Sequence, residues 1–149
     1  MSELVNLKLS DLYIEEEYVR VFGKGSKERL VPISHKAIDE LGFWFSDRNL
    51  MKIKPGEEDY VFLNRRGAHL TRTMILIMIK AQAKEAGIQK TISPHTLRHS
   101  FATAMLNNGA GLESVRKLLG HESVATTEIY THTTFEQLRR VYENAHPRA

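Results

Sequence analysis

SPHTLRHSFATAMLNNGAGLESVRKLLGHESVATTEIY, residues 93–130, sets the reading of the whole chain. Ser93 is a favoured N-cap, Pro94 a favoured first helical residue, and Gly109 follows the last turn, so the spacing predicts a helix between them. On that helix His95, Arg98 and His99 fall at i, i+3 and i+4 and share one face. Leu97, Phe101, Ala104 and Met105 form a separate stripe expected to face a core, which frees the first face for a ligand. A third histidine, His121, follows the Gly120 stop, and Tyr130 comes nine residues later. Such a set suits phosphate chemistry.

Composition bounds what this stretch belongs to. With 149 residues and 42% hydrophobic content the chain makes one globular domain with a sizeable core. No apolar run approaches a membrane span, and MSELVNLKLSD lacks the basic and apolar regions of a signal peptide, so a cytoplasmic protein is expected. The absence of cysteine excludes thiolate metal sites, disulfides and a cysteine nucleophile. A net charge of +3 and a pI near 9.2 are mildly basic, so a nucleic-acid surface has to come from local clustering.

Upstream, SELVNL reads as the last turns of a helix. LKLSDLYI, YVRVFG and RLVPI carry alternating or β-rich patterns and predict a small antiparallel sheet, with Gly23 to Lys27 as a turn. Ser34 caps a helix holding Ala37, Ile38, Leu41, Trp44 and Phe45, which ends before KIKPGEED. YVFLN predicts a short strand, and Thr71 opens a helix carrying Met74, Ile75, Ile77, Met78 and Ala81 as far as Gly87. Thr134 and Gln137 form a capping-box pair that opens the last helix. The expected fold is α+β, mostly α-helical with one small antiparallel β-sheet.

HTLRH at 95–99, LLGH at 118–121 and IYTH at 129–132 resemble the tyrosine recombinases, most closely those of the Xer type. SELVNL at 2–7, GKGSKERLVP at 23–32 and the terminal HPRA at 146–149 extend the resemblance over the whole chain. It implies the catalytic-domain fold of that family across residues 1–149. It also implies site-specific DNA recombination, with strand cleavage and rejoining through a 3′-phosphotyrosine and a free 5′ hydroxyl, without ATP, metal or other cofactor. The partners implied are a double-stranded DNA recombination site, a related partner recombinase in a tetramer, and a septal DNA translocase. The cellular role implied is chromosome-dimer resolution and segregation at cell division.

Several side chains acquire roles by position. Arg98 offers a permanently charged planar fork for two phosphodiester oxygens, and it resembles the second arginine of the family's pair. Tyr130 resembles the nucleophile; its phenol, with a free pKa of about 10, has to lose a proton during attack. Matched positions make His95 the general base and His121 a hydrogen-bond donor to a nonbridging oxygen. Lys24 is the candidate general acid toward the departing 5′ oxygen, with Lys27 as its rival. Glu3 and His99 are expected to support the site, while His132 has no assigned role. Arg65, Arg66 and Arg72, flanking a helix start, are the candidate DNA-backbone contacts. Tyr13, Tyr18, Tyr60 and Tyr142 read as ordinary half-buried tyrosines.

In the family an arginine stands two residues before the serine matched by Ser2, and Met1 occupies the position between. That arginine and the N-terminal DNA-clamping domain are expected outside this chain, with Met1 an introduced start. The chain alone is then expected to cleave about 100- to 1000-fold more slowly. Three rival readings follow: a phage or transposon integrase of the same chemistry, a noncatalytic DNA-binding or docking module, and a zinc hydrolase. The last would use His95 and His99 at i, i+4, but the helix lacks the Glu of H-E-x-x-H and no third ligand is marked. Finally, Phe135, Leu138, Val141 and Tyr142 make the tail at 135–149 amphipathic. It is expected to fold back or to exchange between protomers about the THTT hinge at 131–134, and to be separable from a domain that stays folded without it.

Overall fold

Alternating valines turn the second β-rich segment into the middle of a sheet. The computed structural model describes residues 1–23, 28–120 and 132–147, without the side chains of 132–134. Strands β1 (Leu12–Tyr13), β2 (Tyr18–Phe22) and β3 (Glu28–Pro32) pair antiparallel in that order. Val19 and Val21 are buried between the more open Tyr18, Arg20 and Phe22, as a period of two demands. Val31 lies opposite Val19 and Arg29 opposite Val21, so Arg29 projects from the valine-lined face.

Much of the segment expected as the first strand is not β. Leu9–Asp11 is one 3-10 turn, and only Leu12 and Tyr13 pair with β2. Asp11 is buried there because Arg20 of β2 donates to it through Nε at 2.9 Å, which pulls the preceding chain out of the sheet.

The helices begin where hydroxyls cap them. Besides α1 (Ser2–Val5), the chain forms α2 (His35–Asn49), α3 (Arg72–Glu85), α4 (Pro94–Asn107), α5 (Leu112–Leu119) and α6 (His132–Ala145). Ser34, Thr71 and Ser93 each accept the N–H three residues on, from Ala37, Met74 and Thr96. The last helix starts at His132 rather than behind a Thr134 cap. On α3 the expected core stripe is largely absent: Ile75 is buried, whereas Ile77 is 61% exposed and Met78 and Met74 are also exposed. Residues 74–79 are all apolar, and six consecutive positions cover the full circumference of a helix. They cannot all face one core.

Met105 of α4, Val115 and Leu118 of α5, and Leu138, Tyr142 and Ala145 of α6 form the helical core. Leu97, expected in that stripe, is exposed, since it sits on the open first turn of α4. Asn108 donates through Nδ2 to the Ala145 carbonyl at 2.7 Å and ties the end of α6 to the end of α4. Tyr18 of β2 meets Phe135 edge-on at 5.0 Å, and Arg139 pairs with Glu17 in the β1–β2 turn. Of the two dispositions open to the tail, the structure shows it folded back. Leu138, Tyr142 and Ala145 of the tail lie in the helical core.

Residues 60–64 make two isolated bridges, Lys8 to Tyr60 and Leu63 to His69, instead of the expected strand. Side chains of α2 have taken the carbonyls that a ladder needs: Trp44 Nε1 donates to Val61 at 2.8 Å, and Arg48 to Glu58 and Tyr60. This loop folds tightly against residues 52–54, where Lys54 N–H donates to the Gly67 carbonyl at 2.9 Å. Gly67 has φ +74°, and a Cβ there would lie 2.1 Å from the Lys52 carbonyl oxygen. Gly67→Ala is therefore expected to destabilise the domain by about 2 kcal/mol or more, since both the backbone conformation and the contact oppose it. A thermal melt would show a fall in Tm of roughly 4–8 °C, and an unchanged Tm would contradict this packing.

Candidate active site

The start of α4 is fixed before any ligand arrives. Ser93 Oγ accepts from Thr96 N–H at 3.2 Å, and Thr96 Oγ1 accepts from Ser93 N–H at 3.3 Å, a reciprocal cap with Pro94 in the first turn. One turn apart on this helix, His95 and Arg98 line a single cleft of about 680 Å³. Met1 and Ser2 of the α1 start, Arg72 of the α3 start and Leu118 and Leu119 of α5 complete much of its wall. His95 is exposed, while Arg98 is half-buried and donates through Nη2 to the Leu119 carbonyl. His99 shares the helix face but not the cleft, and its side chain is exposed.

The opposite wall is tied down by charge. Arg29 of β3 grips both oxygens of Glu3 on α1, Nη1 to Oε1 at 2.6 Å and Nη2 to Oε2 at 2.9 Å. Its Nε reaches the Leu118 carbonyl at 3.4 Å. Thus the end of α5 receives Arg29 at Leu118 and Arg98 at Leu119. Helix ends leave such carbonyls without internal donors.

Residues 1–137 match the model of the phage integrase family. The chain belongs to that family. Among its relatives, the tyrosine recombinase XerD of Oceanobacillus iheyensis is 47% identical over 150 residues, matching all of this chain and 50% of its own length. The crystal structure of XerA recombinase superposes with a TM-score of 0.75 at 38% identity, covering 99% of this chain and 53% of that one. XerH in a pre-cleavage complex with its difH substrate gives a TM-score of 0.70 at 32% identity, covering 91% of this chain and 39% of that one. The chain spans about half the length of the curated relatives it matches.

Within this integrase-family domain the cleft brings together His95, Arg98 and Arg72, with Glu3 just behind the α1 wall. Arg65 and Arg66 are exposed outside it, in a turn where Arg66 N–H donates to Asn64 Oδ1 at 2.8 Å. Lys24, Lys27, His121 and Tyr130 lie outside the described residues, as does the side chain of His132. No third ligand joins His95 and His99 among the described residues. No described helix is long and apolar enough to cross a membrane.

Tyr142 also lines the cleft, which sequence reading did not anticipate. It is a core tyrosine: burial pushes its phenol up, and a hydrogen bond with Ser34 offsets part of that rise. Its proton is harder to remove than that of an ordinary tyrosine. Arg29 was missed as well, although GKGSKERLVP contains it. The available signal was its register, because an arginine on a valine-lined face requires a buried partner.

Proposed function

We propose that the protein carrying this chain is a Xer-type site-specific DNA recombinase whose strand cleavage takes place in this cleft. The observation that carries the reading is the convergence of His95 and Arg98, on one capped helix start, with the α1 and α3 starts in a family-matched domain. The Tyr130 oxygen attacks the scissile phosphorus and forms a phosphotyrosine bond at the 3′ end. The bond to the 5′ oxygen breaks, and that oxygen leaves as a hydroxyl with a proton from Lys24. His95 accepts the phenolic proton, while Arg98 and His121 donate to the nonbridging oxygens as charge builds there. Attack by a 5′ hydroxyl of a partner strand reverses the step and rejoins DNA, so the sequence needs neither nucleotide hydrolysis nor a metal.

Met1 and Ser2 bring the start of α1 to the edge of this cleft. Arg72 at the cleft edge tracks the DNA backbone, and Arg65 and Arg66 extend that contact from the neighbouring turn. The enzyme works in the cytoplasm as a tetramer with a related recombinase on two DNA sites, resolving chromosome dimers under control of a septal DNA translocase. The similarity to XerD and XerA supports this role over that of a mobile-element integrase. The test is incubation of the full-length protein with a nicked duplex carrying its site, in the presence of EDTA. An SDS-resistant protein–DNA adduct is expected; cleavage without an adduct would point to hydrolysis instead.

Lys24 has its own test. Lys24→Ala is expected to slow cleavage about 100- to 10,000-fold, the usual contribution of general acid catalysis. Replacing the leaving 5′ oxygen by sulfur, whose thiol has a pKa of about 8.5, removes the need for a proton and is expected to restore the rate. A mutant equally slow on both substrates would move the acid elsewhere, to Lys27 first.

A further inference from the structure

We propose that Arg29 is a positioning residue for strand cleavage, holding the Arg98 guanidinium in register with the α1 wall of the cleft; this rests on the function proposed above. Arg29 leaves β3 on the inward face, its side chain only 12% exposed, and spends its donors on α1 and α5, both of which line the cleft. Glu3 takes two of them and the Leu118 carbonyl a third. One residue further along α5, the Leu119 carbonyl accepts from Arg98. Two guanidinium groups therefore share one helix end, where the partial negative charge of the helix favours both.

Their charges are not equivalent. The Glu3 carboxylate neutralises Arg29, whereas Arg98 meets no carboxylate among the described residues. Among the described residues, Arg98 thus has N–H groups open to phosphate oxygens. Arg29 sets where that charge stands, because α5 carries the carbonyl on which Arg98 rests. Gly120 shows how closely the parts fit. Its φ is +65°, and a Cβ there would lie 2.7 Å from Arg29 Cζ and 2.8 Å from Nη1. Any side chain at 120 would push the guanidinium away from the end of α5.

The test uses the full-length protein on a nicked duplex, with single-turnover adduct formation measured at saturating DNA, DNA affinity, and folded fraction by circular dichroism. Arg29→Ala is expected to slow adduct formation about 10- to 100-fold per folded molecule, the cost of misplacing a reacting charge by about an ångström. DNA affinity stays within about twofold, because Arg29 makes no contact with DNA in this account. Arg29→Lys keeps the charge but cannot span Glu3 and Leu118 together, so it restores little. Gly120→Ala reproduces the loss by displacing the same guanidinium. In a background of Arg98→Ala, removing Arg29 adds nothing further. A purely structural Arg29 would lower the folded fraction, leave the rate per folded molecule unchanged, and add independently to Arg98→Ala; that pattern overturns the proposal. Should Arg29→Ala fail to fold, Arg29→Lys and Gly120→Ala carry the same test, and wild-type rates in both overturn it. A wild-type protein that forms no adduct overturns the proposed function and this inference with it, whereas adducts from wild type and Arg29 variants at equal rates overturn this inference alone.

Discussion

Tyr130→Phe is expected to abolish the covalent protein–DNA adduct while leaving DNA binding intact. Phenylalanine keeps the ring and removes the one atom that would bond to phosphorus, so no slower version of the same step remains. The other tyrosines are committed elsewhere. Tyr13 and Tyr18 stack on each other at 4.6 Å in the sheet, and Tyr60 stacks on His69 at 4.5 Å. Tyr142 reaches the cleft, but burial makes its phenol harder to deprotonate. An SDS gel of the suicide-substrate reaction reads the result directly. An undiminished adduct in the mutant would transfer the nucleophile's role, with Tyr142 the first candidate.

Deleting residues 135–149 is expected to unfold the domain. The tail supplies Phe135, Leu138, Tyr142 and Ala145 to the buried set, and its loss uncovers Met105, Val115 and Leu118. Burial of each large apolar side chain contributes about 1.5–3 kcal/mol, so three of them approach the roughly 5–15 kcal/mol that holds a whole domain together. A thermal melt followed by circular dichroism should lose its cooperative transition. A truncated domain that melts cooperatively near the parent Tm would show that the helical core closes without α6.

Local signals were legible where a few neighbouring residues decide the outcome. Ser34, Thr71 and Ser93 start their helices because each hydroxyl serves an N–H three residues away. The sheet was legible from the period of two at Val19 and Val21. What escaped was set at long range. Residues 60–64 are not a strand because Trp44 and Arg48 of another element claim their carbonyls. Amphipathicity showed that the tail buries one face, but not that α4, α5 and Tyr18 provide the surface. Within the site, helical spacing put His95 and Arg98 on one face and the family resemblance gave them roles, whereas Arg29 works through Glu3, 26 positions away, and Leu118, 89 positions away.

The central claim is a covalent bond between Tyr130 and DNA, and peptide mapping of the trapped adduct tests it most directly. Trypsin cutting after Lys117 and Arg139 releases residues 118–139, which contain Tyr130 and no other tyrosine. Mass spectrometry is expected to find the nucleotide-bearing phosphate on that peptide. A phosphate on residues 141–148, which carry Tyr142, or no modified tyrosine at all, would contradict the account.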